Sequence, residues 1–174
     1  MSESSKSTLI RNVRIRTGAS DWLAKRQEIE RTLQASALHP IELPDDAILA
    51  VRQVTIRQTS QSQWHEAVSM KLSHLVREAA RPINDSVPAN AQAVIFRDRS
   101  EMLACLAADW CAGEVAMHWW WKSLLRSGDV DRAVIDAWLE SPHEIPAAFQ
   151  KLRARSASAQ HTNSTQKGYR LLGS

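Results

Sequence analysis

Cysteine is scarce in this sequence, and so are glycine and long apolar runs. The two cysteines, Cys105 and Cys111, lie six residues apart. Within one helix they would point about 120° away from each other and could not form a disulfide. We therefore expect two buried thiols in a reducing compartment, and we expect Cys105, which lies among apolar residues, to be unreactive. The first residues also lack the apolar run of a signal peptide, which predicts a cytoplasmic protein.

The charges disfavour both a membrane-spanning and a polyanion-binding protein. The longest apolar stretch, residues 102–121, contains Asp109, Glu114 and His118, which argue strongly against a membrane span. The net charge is only +3, with acidic residues interspersed among the basic ones, so we do not expect nucleic-acid binding. The candidate contacts for that alternative are arginines on two predicted strands, namely Arg11, Arg14, Arg16 and Arg57.

The sequence also lacks the short motifs of common catalytic and cofactor-binding sites. It has no GxSxG elbow, no Walker A loop, no GxGxxG after a strand and no HExxH. The closest approach to a phosphate-binding loop is TGAS at residues 17–20, whose single glycine better fits an ordinary strand-to-helix turn. We therefore predict no cofactor and no metal ion. Elemental analysis of untagged protein tests this, and stoichiometric zinc would contradict it.

What the sequence does contain is one strong helical pattern, over residues 98–128. Asp98 and Glu101 have the spacing of a capping box, so the helix should begin near Arg99. Apolar or small residues then recur every three or four positions, which predicts one long central helix. These residues are Leu103, Leu106, Trp110, Gly113, Met117, Trp120 and Leu124.

Two features of this helix predict what surrounds it. Gly113 stands where the pattern calls for a large apolar residue, and mid-helix glycine costs about 1 kcal/mol relative to alanine. We therefore expect another element to cross close to Gly113, so that leucine there would overpack. On the opposite side, Glu114, His118 and Lys122 recur every four residues and predict a polar stripe that faces water.

Tryptophan is the compositional oddity, with seven tryptophans against two phenylalanines and one tyrosine. Four of them fall singly on apolar helical faces and are predicted to pack in the core: Trp22, Trp64, Trp110 and Trp138. Trp119, Trp120 and Trp121 span about 200° of helix, so at least one of them should reach a rim. Core packing is the commoner role for such residues. The alternatives are a protein-binding site, or a lipid surface flanked by Lys122 and Arg126.

The rest of the chain alternates between strand and helix patterns. Apolar residues predict strands at residues 9–16, 47–58 and 91–96. Helical periodicity predicts helices from Ser20 to about Ser36 and from Trp64 to Ala79, the second of which Arg81-Pro82 should end. Together with the central helix, this order predicts an α/β fold with a small three-stranded sheet built from β-α-β-α-β-α units.

Two further C-terminal helices should follow. One is capped by Asp129 and has an apolar side made of Val130, Val134, Ala137 and Trp138. The other is opened by Pro146, and its Phe149 and Leu152 could dock the end of the domain.

Length and composition fit one domain with a real core. We expect residues 1–8 to be a disordered tail, residues 9–155 a single globular α/β domain and residues 156–174 a flexible tail. Deleting residues 156–174 should leave the melting temperature unchanged, although Tyr169, Leu171 and Leu172 could form a short docking motif there.

Acid–base or metal chemistry would have its candidates on the central helix. Glu114 and His118 would share one helical face, with Asp109 or Cys111 nearby. The commoner meaning of that spacing is a solvent-facing pair. If the protein were an enzyme with a dispersed site, Asp98, Glu114 and His118 would be the first residues to test.

Three segments carry a resemblance to a known group of proteins: AVIF at residues 93–96, EMLACLAADW at residues 101–110 with Gly113, and WWWKSLL at residues 119–125. They resemble uncharacterised bacterial accessory proteins in which a strand leads into an acid-capped helix that ends in three tryptophans. Some of these are associated with gene clusters for contractile, phage-tail-like injection systems. The resemblance brings no catalytic residues, so it implies an accessory or assembly role.

These observations favour a non-enzymatic domain that acts by binding another protein, as an adaptor or assembly factor. Its predicted protein-binding residues are Trp119, Trp120 and Trp121, because aromatic clusters rich in tryptophan often anchor protein contacts. An enzyme with a dispersed site is the alternative, and weak nucleic-acid binding is the third possibility.

Overall fold

The computed structural model describes residues 43–56, 61–125 and 128–156, with the backbone alone for residues 61–65, and also the helical residues Gln27 and Arg31. Several predicted features lie outside these residues: the strand at 9–16, the turn at 17–20, most of the first helix, Arg57, the side chain of Trp64 and the C-terminal tail. The chain comprises two compact units, residues 1–45 with 53–78 and residues 46–52 with 79–174. The described part is a mixture of helices and strands, as predicted.

Helix α1 (Gln61–Arg77) belongs to the first unit. Val68 and Leu75 are buried on one side of it, whereas Met70 is exposed on another. This is the amphipathic helix that the sequence predicts, with apolar residues on a 3.6-residue period. The helix ends at Arg77, a few residues before the Arg81-Pro82 pair that was expected to end it.

Strands β1 (Ile48–Val51) and β2 (Ala93–Phe96) form an antiparallel pair in the second unit, with Ile48 opposite Phe96 and Val51 opposite Ala93. Both lie inside predicted strands. β1 is shorter than predicted: it ends at Val51, opposite the first residue of its partner strand, and one further bond joins the Arg52 N–H to Gln92 O. The described residues thus form a two-stranded sheet, and the predicted strand at residues 9–16 lies outside them.

Helix α2 (Arg99–Cys111) is the centre of the second unit. Its first turn is capped by Asp98, whose Oδ1 accepts a hydrogen bond from the Glu101 N–H at 2.8 Å. All residues from Ser100 to Leu106 are buried. A helix that is covered on all sides agrees with the apolar composition of this segment. The core around it also contains Phe96, Trp121 and Val134.

The predicted continuous helix from Arg99 to Gly128 is wrong, because α2 ends at Cys111 and helix α3 (Trp119–Leu124) begins after a turn. Gly113 has a φ of +73°. The Gly113 N–H donates to Trp110 O at 3.0 Å and the Glu114 N–H to Asp109 O at 2.8 Å. This is the Schellman arrangement that ends helices at a glycine. Glycine reaches a positive φ without strain, and that property decides the local structure despite the unbroken apolar period.

Two further predictions fail together with the continuous helix. A Cβ atom built at Gly113 would meet nothing within 4 Å, so none of the described elements crosses closely there. The polar stripe of Glu114, His118 and Lys122 does not exist either, because Glu114 lies in the turn and His118 directly precedes α3. Trp110 and Met117, which the pattern placed on the buried face, are 45% and 78% exposed.

The two predicted C-terminal helices are confirmed. Helix α4 (Val130–Leu139) is capped by Asp129, whose Oδ1 accepts from the Asp131 and Arg132 N–H groups. A 3₁₀ turn (Pro142–Glu144) leads into helix α5 over residues 145–156. The C-terminal end of α2 contacts the start of α4 through Trp110 and Asp131, and Arg99 at its N-terminal end contacts Ala137. Helices α2 and α4 therefore run antiparallel.

Replacing Gly113 by alanine should lower the free energy of unfolding by about 1 kcal/mol, since an L-residue is strained at a positive φ even where its Cβ has room. Gly128→Ala is the matched control, because a Cβ there also meets nothing within 4 Å and the backbone φ is not positive. Urea denaturation of both variants is the measurement. Equal stability of the two variants would contradict the strain argument.

Candidate functional site

The three consecutive tryptophans occupy different depths. Trp120 and Trp121 are 3% and 1% exposed, and Trp119 is only partly buried. The Trp121 ring stacks on Phe96 with the centroids 5.5 Å apart, and Trp119 meets Trp120 edge-on at 5.9 Å. The predicted binding residues are thus two core side chains and one at the rim. Protein binding by the triplet stays a prediction, and the surface that this part of the chain offers for it is that of Trp119.

A single buried carboxylate holds α3 against the end of α2. Asp109 Oδ2 accepts a hydrogen bond from Trp121 Nε1 at 2.7 Å and lies 2.8 Å from His118 Nδ1. On one continuous helix, residues nine positions apart would point in opposite directions. The sequence places Asp109 only near the pair of Glu114 and His118, and it does not predict the direct contacts of Asp109 with His118 and Trp121. The available signal was that Asp109 is the lone charged residue from Met102 to Gly113, since a buried carboxylate requires hydrogen-bond partners.

His118 is the described residue whose geometry best suits acid–base chemistry. Its ring stacks face to face on Trp120, with the centroids 4.3 Å apart and the planes at 14°. A carboxylate at Nδ1 orients the imidazole and leaves Nε2 for proton transfer, as in many general bases. Cys111, however, points about 160° away from Asp109 around α2 and cannot complete a catalytic group with them. No cluster of three or more histidine, cysteine or acidic residues suited to a metal ion occurs in the described segments.

The opposite end of α2 holds a second polar network. Lys151 Nζ donates to both carboxylate oxygens of Asp98 at 2.6 Å and to Ser100 Oγ at 2.7 Å. The Ser100 hydroxyl donates to Asp98 Oδ1 at 2.7 Å. Burial by itself would raise the pKa of Asp98, but the hydrogen bonds from Lys151, Ser100 and the Glu101 N–H outweigh it and lower the pKa to about 2. Ser100 is buried, and its hydroxyl both donates to Asp98 and accepts from Lys151. It is therefore not a nucleophile.

Glu101 is held in the same region by a two-pronged ion pair. Arg81 Nε and Nη2 donate to its two carboxylate oxygens at 3.0 and 2.6 Å, and hydrogen bonding to Glu101 raises the pKa of Arg81. The Arg97 N–H also donates to Glu101 Oε1 at 3.3 Å. These bonds satisfy a buried carboxylate and anchor the start of α2 to the loop before β2.

The residues proposed for an enzyme do not converge. Asp98 caps the N-terminus of α2 and His118 contacts its C-terminal end, and a helix of this length spans about 20 Å. Glu114 is exposed in the turn. Cys105 is fully buried, as predicted, and burial raises the pKa of its thiol to about 12, which disfavours the reactive thiolate. Cys111 is exposed, so the prediction that it is buried is wrong.

In the described part of the second unit, four large exposed apolar side chains lie on α4 or on residues that contact it. We call this group the α4 surface, and it consists of Trp110, Ile135, Leu139 and Phe149, which are 45%, 51%, 70% and 52% exposed. Ile135 and Leu139 are one turn apart on α4. Trp110 Nε1 donates to Asp131 Oδ1 at 2.8 Å, one turn before Ile135. The Phe149 ring packs on Trp138 at 5.4 Å, beside Leu139.

Part of the α4 surface could have been found from the sequence. The predicted inner face of α4 is Val130, Val134, Ala137 and Trp138, and the structure places these residues in or against the core. That assignment leaves Ile135 and Leu139 on the outer face. Trp110 and Phe149, in contrast, were expected to pack inside, and only the packing of α2 and α5 against α4 shows them exposed.

Comparison with known proteins returns no match among protein-family models, curated proteins or solved structures. The function must therefore be inferred from the geometry. Within the residues that the structure describes, no helix is long and apolar enough to cross a membrane.

The lowered pKa of Asp98 makes part of the stability depend on pH. A carboxylate whose pKa falls on folding stabilises the protein fully above its unfolded value, here 3.8, and loses that contribution as the pH falls toward about 2. Asp98→Asn should therefore cost about 1 to 2 kcal/mol at neutral pH, allowing for partial exposure, and progressively less below pH 4. Chemical denaturation between pH 2 and pH 7 measures this. Lys151→Met should flatten the same dependence, and a cost that does not change with pH would contradict it.

Proposed function

We propose that this chain is a non-enzymatic protein–protein interaction domain with an adaptor or assembly role. The observation that supports the proposal is the α4 surface, where Trp110, Ile135, Leu139 and Phe149 are each at least 45% exposed. A group of large exposed apolar side chains that includes two aromatic rings is typical of a binding site.

The side chains of this surface are held in place before any partner arrives. The Trp110 indole is fixed by its hydrogen bond to Asp131, and the Phe149 ring by its packing on Trp138. The helix that carries Ile135 and Leu139 is itself capped by Asp129 and buries Val134 and Ala137 in the core. Such rigidity lowers the entropy that a partner must offset on binding.

This proposal moves the binding site from the tryptophan triplet to another face of the same unit. Trp120 and Trp121 contribute by packing α3 into the core, while Trp119 keeps a partly exposed edge. The resemblance to accessory proteins of contractile injection systems adds a first set of partners to try. We propose that the partner is a component of such an injection system and that it binds at the α4 surface.

Crosslinked pull-down from the native host tests the proposal. Wild-type protein should capture a partner, and Leu139→Glu should reduce that capture at least tenfold, because it places a charge on the α4 surface. Met117→Glu is the matched control, since Met117 is even more exposed but lies on neither α4 nor α5. Thermal melts should show all variants folded.

The outcomes separate the two candidate surfaces. Loss of capture with Leu139→Glu but not with Trp119→Ala supports the α4 surface. Loss of capture with Trp119→Ala but not with Leu139→Glu would indicate that the tryptophan triplet is the binding site. Undiminished capture by Leu139→Glu protein would overturn the assignment to α4.

A further inference from the structure

The helix that carries most of the α4 surface is acidic. Residues 129–144 contain five acidic side chains against one arginine, so their formal net charge is −4 with histidine neutral. Around the helix, Asp131 lies about 40° to one side of Ile135, and Asp136 lies about 60° beyond Leu139 on the other side. The arginine of this segment is itself paired with Asp136 at 3.2 Å. Carboxylates therefore flank the exposed apolar side chains of α4.

The last part of the chain, residues 157–174, has the complementary composition and lies outside the described residues. It contains two basic residues and no acidic residue. Both cations and all three large apolar side chains of this segment fall within residues 167–172, KGYRLL. We call these residues the tail motif. Its cations suit the carboxylates of α4, and its apolar side chains suit the exposed ones between them.

The described chain ends close to the α4 surface. Helix α5 carries Phe149, one of the four side chains of that surface, and ends at Ser156, about 10 Å further along the helix axis. A polar chain as long as that from Ser156 to Tyr169 has an average end-to-end distance of about 20 Å. A unit of about 100 residues has a radius of gyration of about 13 Å. The tail motif, which belongs to the same unit, therefore reaches the surface without being stretched.

A tether of this length sets how often the motif can dock. It keeps the motif at a local concentration of about 1 mM. A short motif on an exposed surface binds with a Kd of about the same size, so docked and undocked states are about equally populated. Docking then favours the folded state by a factor of only about two. Deletion of residues 156–174 therefore still leaves the melting temperature nearly unchanged, as the composition of the tail predicts.

We propose that the tail motif docks on the α4 surface of its own chain and competes there with the partner protein. This inference rests on the proposed function and adds a regulation to it. Only molecules with an undocked tail bind the partner, so the tail lowers the apparent affinity for that partner about twofold.

The single tyrosine of the chain, Tyr169, reports docking directly. Full-length protein that contains fluorotyrosine gives one fluorine NMR signal, and a synthetic peptide of residues 157–174 with the same label gives the position of the undocked motif. The wild-type signal should lie away from the peptide signal. Leu139→Glu should lower the ratio of docked to undocked tail at least about fivefold and move the signal toward the peptide position. Met117→Glu should not move it, because Met117 is exposed but lies on neither α4 nor α5.

A charge substitution in the motif tests the electrostatic part. Lys167→Gln should lower the ratio of docked to undocked tail about twofold, because it removes a cation that faces the carboxylates of α4. Gln160→Glu is the matched control, since it lowers the charge of the tail by the same single unit outside the motif. Each variant is compared with a peptide of the same sequence, and circular dichroism melts confirm that each is folded.

Two results would overturn the inference. They are a wild-type signal at the peptide position, and a displaced signal that Leu139→Glu leaves unchanged. The proposed function fails separately, if Leu139→Glu does not diminish the capture of a host protein. A signal at the peptide position together with capture that depends on Leu139 would overturn tail docking and leave the interaction domain in place. A docked tail together with capture that does not depend on Leu139 would contradict the competition.

Discussion

Trp121→Ala should lower the free energy of unfolding by about 3 to 5 kcal/mol, as large-to-small changes in a core do. Trp121 is 1% exposed, stacks on Phe96 and donates its indole N–H to Asp109. Alanine would remove the ring, leave a cavity beside the sheet and take one hydrogen bond from the buried carboxylate. Urea denaturation at neutral pH is the measurement.

The other two tryptophans provide the controls. Trp120→Ala should cost nearly as much, because that side chain is 3% exposed. Trp119→Ala should cost only about 1 to 2 kcal/mol, since its ring is already partly in water. Trp121→Phe keeps most of the apolar volume and loses the hydrogen bond, so its effect should lie between those of alanine and wild type. If alanine lowered the free energy of unfolding equally at all three positions, the different burial of these rings would be contradicted.

Asp109→Ala should cost about 2 to 4 kcal/mol, because it leaves a buried indole N–H without an acceptor and releases His118 from the end of α2. Asp109→Asn should cost less, since the amide oxygen can still accept from Trp121 Nε1. A stability loss below about 0.5 kcal/mol for the alanine variant would show that the carboxylate does not hold the turn.

A double-mutant cycle isolates the bond between Asp109 and Trp121. Asp109→Ala and Trp121→Phe each remove it, so the combined variant should be more stable than the sum of the two losses predicts, by about 1 kcal/mol. His118→Phe, combined with Asp109→Ala in the same way, isolates the contact between Asp109 and His118. Strict additivity of Asp109→Ala and Trp121→Phe would contradict a shared hydrogen bond.

Features that depend on neighbouring residues could be predicted. Asp98 and Asp129 accept hydrogen bonds from N–H groups two or three residues ahead of them, so both caps follow from local spacing. The buried strand at Ala93–Phe96 follows from a short apolar run before a helix cap. The inner face of α4 follows from its 3.6-residue period. None of these requires knowledge of distant contacts.

The break at Gly113 shows where this approach stops. The apolar period runs unbroken from Leu103 to Leu124, yet its members Trp110 and Met117 are exposed, whereas Val115 and Trp121, which lie off the period, are buried. The spacing of apolar residues therefore continues through the turn although the helix does not. Whether the helix is continuous or broken depends on the φ of Gly113. The hydrogen bonds that end α2 and the tertiary packing set this φ together.

The sequence by itself determined the mixed α/β composition of the described part, the start of α2, the helical caps and the burial of Cys105, because each depends on local hydrogen bonds or local apolar content. Only the tertiary structure decided that α2 ends at Cys111, that Asp109 contacts His118 and Trp121, and that Trp110 faces outward against Asp131. These depend on which helices pack together, and packing brings into contact residues whose spacing along the chain carries no signal.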